Sequence, residues 1–109
     1  MPGPAQNDAG DAFEALADAN RRAILNLVGA KRLSVQEIAD AMPISRPAVS
    51  RHLRVLAGAG LVVEERQGTR HLFSLHAAGA QAVREYLERI WGDSAARFTI
   101  FAENTEDGR

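Results

Sequence analysis

The chain has 109 residues, 46% of them apolar and 25% charged, with a formal net charge of −1. That is the profile of one folded domain, neither a disordered polymer nor two full domains. It contains no cysteine, which excludes disulfides, thiolate metal sites, iron–sulfur clusters and cysteine nucleophiles.

The opening MPGPAQNDAGD has neither a basic region nor an apolar one, and no apolar run reaches the roughly 20 residues that cross a bilayer, so a cytoplasmic location is expected. Residues 1–10 read as a disordered tail, because Pro2, Gly3, Pro4 and Gly10 interrupt any apolar period. The folded domain is expected over 11–102, and 103–109 as a frayed end.

Phe13, Leu16 and Ala17 share one helical face, and Ile24, Leu25 and Val28 form a second stripe after the polar break at Asp18 to Asn20. Two short helices follow from this, with Gly29 closing the second. Ser34 with Glu37 three residues later is a capping box, which starts a third helix over about 35–41. Met42 and Pro43 end it. Ser45 is the next N-cap and Pro47 is tolerated in a first turn, so a fourth helix covers about 46–57 and stops at Gly58 and Gly60. LVVEER and RHLFSL then read as two strands joined by Gln67, Gly68 and Thr69.

From Ala77 onward a long one-sided helical stripe holds Val83, Tyr86, Leu87, Ile90, Trp91, Phe98 and Phe101. Gly92 is a point where it can kink or split. The expected class is mainly α with a small β-hairpin, in the layout of a winged helix-turn-helix with a C-terminal dimerisation helix.

Charge is segregated along this layout. Residues 1–20 carry Asp8, Asp11, Glu14 and Asp18 with no base (−4), whereas residues 44–56 carry Arg46, Arg51 and Arg54 with no acid (+3). At about 100 degrees per residue, Leu53 and Leu56 fall within about 40 degrees of Val49 and define a core face. Ser50, Arg54, Pro47 and Arg51 fall together on the opposite side, about 100 to 200 degrees away. A major groove admits one α-helix and presents base edges that forked Arg donors and short hydroxyls can read. The expected DNA-contacting residues are therefore Ser45, Arg46, Pro47, Ser50, Arg51 and Arg54 in the fourth helix. Arg66 and Arg70 beside the hairpin tip are expected to meet backbone phosphate. A solvated cationic face is the weaker reading of the same residues. Arg21 and Arg22 are second-rank phosphate contacts with an ion-paired alternative. His52, beside the core face, is expected to pack or to bond a backbone group.

LADANRRAIL, SVQEIADAMPISRPAVSRHLRVLAGAGLV and EERQGTRHLFSL together resemble the ArsR-type winged-helix transcriptional regulators over residues 11 to 91. The resemblance implies a homodimeric, usually repressing, DNA-binding protein whose last helix dimerises. It departs from the metal-sensing members: cysteines near the third helix are absent, and residues 77–101 contain no histidine. No metal or cofactor is expected. His71 with Glu64 or Glu65 can meet across the hairpin, but isolated histidines are the favoured reading.

The C-terminal stripe either packs wholly on its own domain or forms a two-fold interface. Four of the six aromatic rings lie in this segment, which favours the interface, with Leu87, Ile90, Trp91 and Phe98 at its centre and Phe13 and Leu16 beside them. No nucleophile elbow, zincin helix or phosphate loop is present, so an enzyme is not expected. The expected function is that of a homodimeric repressor on an inverted-repeat operator, and the rival is a winged helix that binds protein without DNA. Operator, regulated genes and effector are not encoded in any pattern of this sequence.

Overall fold

A computed structural model describes the backbone of residues 9–107 and the side chains of residues 10–92. The elements in order are α1 (Ala9–Ala15), α2 (Ala19–Ala30), α3 (Val35–Asp40), α4 (Arg46–Gly58), β1 (Val62–Gln67), β2 (Arg70–Leu75) and α5 (Ala77–Asp107). The expected class and element order hold.

Each helix start has a local chemical cause. The Asp18 carboxylate caps α2 by accepting from the backbone N–H groups of Asn20 at 2.8 Å and Arg21 at 3.1 Å. The capping box at α3 forms reciprocally: the Glu37 N–H donates to Ser34 Oγ at 3.1 Å, and the Ser34 N–H to Glu37 Oε1 at 2.8 Å. The Ser45 hydroxyl accepts from the Ala48 N–H at 3.2 Å, with Pro47 inside the first turn of α4.

Three boundaries differ from expectation. α1 begins at Ala9, two residues before the expected edge, and residues 1–8 of the expected tail lie outside the described residues. α2 passes through Gly29 to Ala30, because a glycine ends a helix through a positive φ, and among the described residues only Gly60 (φ 79) and Gly68 (φ 64) have one. α5 continues past Gly92, as a single glycine costs only about 1 kcal/mol in a helix whose neighbours all favour it. Its backbone is helical to Asp107, beyond the expected limit at residue 102, while residues 108–109 lie outside the description.

β1 and β2 pair antiparallel with Gln67 opposite Arg70, so the tip is the two-residue turn Gly68–Thr69. Positive φ at its first central position suits a II′ turn, and glycine supplies it without strain. Leu33 adds a short bridge to the hairpin: its N–H donates to the Phe73 carbonyl at 3.0 Å, and the Phe73 N–H donates back at 2.8 Å. The loop before α3 is thereby tied to the hairpin base. The core gathers Ile24 and Val28 of α2, Ile38 of α3, and Val49, Leu53 and Leu56 of α4, with Leu61, Val62 and Leu72 from the hairpin region. Removing one of the fully packed side chains, as in Leu53→Ala, would cost about 2 to 5 kcal/mol. The first turn of α5 runs so close to the end of the α4 loop that a Cβ on Gly79 would lie 1.8 Å from the Gly60 carbonyl oxygen. Only glycine fits there.

Candidate nucleic-acid interface

α3 and α4 pack through Ile38, Val49 and Leu53, which turns the remaining faces of α4 outward. Val49, Leu53 and Leu56 are fully buried, as the helical wheel requires, while Arg46, Pro47, Arg51 and Arg54 are exposed. Neither Arg51 nor Arg54 has an ion-pair partner among the described residues. Ser50 is half-buried, facing the hairpin across a cavity of about 250 Å³ that Val35, Leu53, Arg54 and Phe73 also line. It sits on the flank of the exposed face, with Arg54 beside it. Ser45 is committed to its cap, which leaves its hydroxyl proton free to donate.

Arg46, the first residue of α4, donates from one guanidinium nitrogen to Gln36 Oε1 at 3.2 Å, and the Gln36 amide donates to Asp40 Oδ1 at 2.8 Å. On the hairpin, Arg66 is exposed and has no ion-pair partner among the described residues. Arg70 is engaged, with one guanidinium nitrogen 3.1 Å from Glu37 Oε1. The capping-box hydrogen bond from the Ser34 backbone holds the Glu37 carboxyl below its ordinary range, and the Arg70 charge adds to this. The acids that opposed a cationic hairpin are also taken: Arg32 lies 2.9 Å from Glu65, and His71 meets Glu64. The described residues contain no group of three metal-ligating side chains around that pair.

Arg21 and Arg22 have a role that local sequence did not reveal. Arg21 Nε donates to the Ala15 carbonyl at 2.6 Å and Arg22 donates to the Leu16 carbonyl at 2.7 Å. The two guanidinium groups therefore satisfy the orphan carbonyls at the end of α1. Arg21 also lies 3.4 Å from His52 Nδ1, so the half-buried His52 is partnered by a side chain instead of a backbone group.

The expected interface residues divide in two. Phe13 packs within its own protomer, its ring 5.4 Å from that of Tyr86 at 59°, and Leu16 and Leu87 are half-buried. Ile90 and Trp91 are 44% and 54% exposed, a large apolar surface on one turn of α5. The side chain of Phe98 lies outside the described residues.

Known proteins share this arrangement. Residues 16–65 match a family model described as a helix-turn-helix domain. The HTH-type transcriptional regulator Rv2034 of Mycobacterium tuberculosis is 46% identical over 80 residues, covering 73% of this chain and 75% of that one. Among solved structures, an ArsR-like transcriptional regulator from Rhodococcus sp. RHA1 superposes with a TM-score of 0.74 at 28% identity, over 87% of this chain and 90% of that chain. The homodimeric winged helix-turn-helix DNA-binding domain of a possible ArsR-family regulator from Mycobacterium bovis superposes at 0.62, with 28% identity and 77% of each chain covered. A strong match to a regulator over three quarters of its length, joined to the capped α3–α4 pair and the hairpin beside it, places this chain in the ArsR-type family of winged helix-turn-helix transcriptional regulators.

Proposed function

We propose that the protein is a homodimeric repressor that binds an inverted-repeat operator, with α4 in the major groove and the hairpin on the flanking backbone. The carrying observation is the unpaired cationic face of α4. Arg51 and Arg54 stand exposed, directly opposite the buried Val49, Leu53 and Leu56, while the nearby acids Glu37, Glu64 and Glu65 are each held by another base. Unpaired guanidinium groups on a helix the width of a major groove are free to read guanine edges.

A single recognition helix spans only a few base pairs, so discrimination against genomic competitors calls for two copies in successive grooves. The apolar Ile90 and Trp91 surface on α5 supplies a face for that two-fold contact, and the Mycobacterium bovis neighbour is itself homodimeric. The partner is double-stranded DNA; Ser45, Arg46, Pro47, Ser50, Arg51, Arg54, Arg66 and Arg70 form the contact set, with no metal or catalytic chemistry involved. Repression follows where such an operator overlaps a promoter and occupancy excludes the polymerase.

Footprinting on the DNA upstream of the reading frame tests the proposal. The expected result is a protected, imperfectly palindromic site with half-site centres about 10 to 10.5 base pairs apart, or a multiple of that spacing. Absence of any retardation of this DNA at low salt would favour a winged helix that binds protein instead.

A further inference from the structure

Two consecutive residues of α3 each hold one arginine of the candidate interface. Gln36 accepts from Arg46 of α4 at 3.2 Å, and Glu37 accepts from Arg70 of the hairpin at 3.1 Å. Both arginines line one cleft of about 420 Å³ between the start of α3, the start of α4 and the hairpin, together with Ser34, Gln36, Thr69 and His71. The one acid on its wall, Glu64, is occupied by His71. We propose that Gln36 and Glu37 are positioning residues: they fix the Arg46 and Arg70 guanidinium groups on the walls of this cleft, which receives a phosphate of the DNA backbone. The proposal rests on the DNA-binding reading and deepens it.

The polarity of each relay supports this assignment. Asp40 accepts from the Gln36 amide N–H at 2.8 Å, which turns the amide so that its oxygen, its only acceptor, faces Arg46. A free arginine loses the rotamer entropy of a long side chain when it binds; one already held in a hydrogen bond has lost part of it beforehand. Glu37 is fixed in turn by its capping-box bond from the Ser34 N–H at 2.8 Å. Its carboxylate therefore presents a stationary acceptor to Arg70, which ties the hairpin to the helix-turn-helix. A guanidinium has five donors. One bond to Gln36 or Glu37 leaves the others available to a phosphate oxygen. The reading moves Arg46 from base edge to backbone and adds Gln36 and Glu37 to the residues that shape the interface.

The test is a pair of double-mutant cycles on the full chain, read by titration of the footprinted operator duplex and of a scrambled duplex of the same length. Gln36→Ala should weaken both duplexes by about three- to tenfold, the worth of one hydrogen bond, and should have no effect in an Arg46→Ala background. Glu37→Ala should do the same against Arg70→Ala, while Glu37→Gln, which keeps an acceptor for both Ser34 and Arg70, should stay within about twofold of wild type. Because Glu37→Ala also removes the cap, Gln36→Ala, which leaves the cap intact, carries the test if Glu37→Ala unfolds. Additive losses in either cycle would overturn the proposal, as would tighter binding by Glu37→Ala, the signature of a carboxylate that merely repels DNA. A wild-type chain that binds neither duplex at low salt would overturn the DNA-binding reading itself, an outcome distinct from additive cycles in a chain that binds.

Discussion

Replacing Trp91 by glutamate should separate the protomers without unfolding them. Trp91 is 54% exposed in the single chain, so its side chain does little for the protomer's own core. A tryptophan offers about 250 Å², which leaves about 135 Å² for a partner to cover, worth about 3 kcal/mol at about 25 cal/mol per Å². A two-fold interface contains the residue twice. If only half of that area is covered, the pair still contributes about 3 kcal/mol, or about a hundredfold in the dimer dissociation constant. A carboxylate adds a desolvation penalty at the same place. Sedimentation velocity at micromolar concentration should show wild type as a dimer and Trp91→Glu as a monomer, with matching far-UV circular dichroism. Operator binding by the variant should fall steeply although every DNA-facing side chain is intact. Wild type sedimenting as a monomer while still binding its operator tightly would refute the reasoning, and so would a Trp91→Glu chain that remains dimeric.

Arg51→Ala should cost about 1 to 3 kcal/mol of operator affinity and relax preference at one base position, measured by binding to single-substitution operators; unchanged affinity and preference would remove α4 from the major groove. Arg66→Ala should weaken specific and scrambled duplexes alike and make the salt slope shallower by about 1, whereas an unaltered slope would mean that the hairpin does not touch the backbone. Gly79→Ala places a methyl carbon 1.8 Å from the Gly60 carbonyl oxygen, so overpacking of about 2 kcal/mol or more outweighs the gain in helix propensity and should lower the melting temperature by about 5 to 10 °C; a variant melting at or above wild type would contradict the close approach. The Asp18 carboxyl is held below its ordinary value of 3.8, chiefly by the hydrogen bond from the Arg21 backbone. A depressed folded-state pKa contributes stability above the unfolded value that disappears as pH falls through the folded one. The melting gap between wild type and Asp18→Ala should therefore be full at about pH 6 and narrow below about pH 4; a gap independent of pH would refute the role of the charge.

Helix starts were legible in the sequence because their causes are local. Asp18, Ser34 with Glu37, and Ser45 lie within three residues of the amides they cap, and the buried stripe of α4 is a matter of spacing alone. Partner choice between distant residues was not legible. Glu37 meets Arg70 from 33 residues away and Arg21 meets His52 from 31; no period encodes either pairing. The same limit hid the function of Arg21 and Arg22. In sequence they are two exposed cations next to a helix start, the same description that fits a phosphate contact. Their actual partners are carbonyls at the end of the preceding helix, a choice set by the turn between α1 and α2. Phe13 shows the converse. Its place on the apolar face of α1 was plain, but its ring rests on Tyr86 of the same chain, and only the packing of α1 on α5 separates an internal contact from an interface one.

The net charge of −1 is a poor guide to what this surface can bind, for a reason the ion pairs make specific. Phosphate affinity depends on the cations that remain unpaired where the duplex lies, and the sum over the chain counts acids that are elsewhere or already engaged. Asp18 caps a helix, Glu37 holds Arg70, Asp40 orients the Gln36 that holds Arg46, and Glu64 and Glu65 are bonded to His71 and Arg32. What is left exposed on α4 and the hairpin is Arg51, Arg54 and Arg66, none of them ion-paired among the described residues. Three such groups per protomer, six in a dimer, correspond to a salt slope of about −5, half that of a heavily phosphate-anchored repressor. A modest electrostatic share leaves non-specific binding weak. The discrimination of the proposed repressor then has to come from base reading by α4 and from its duplication across the two-fold axis, which is why the exposed turn at Ile90 and Trp91 matters to DNA recognition although it touches no DNA.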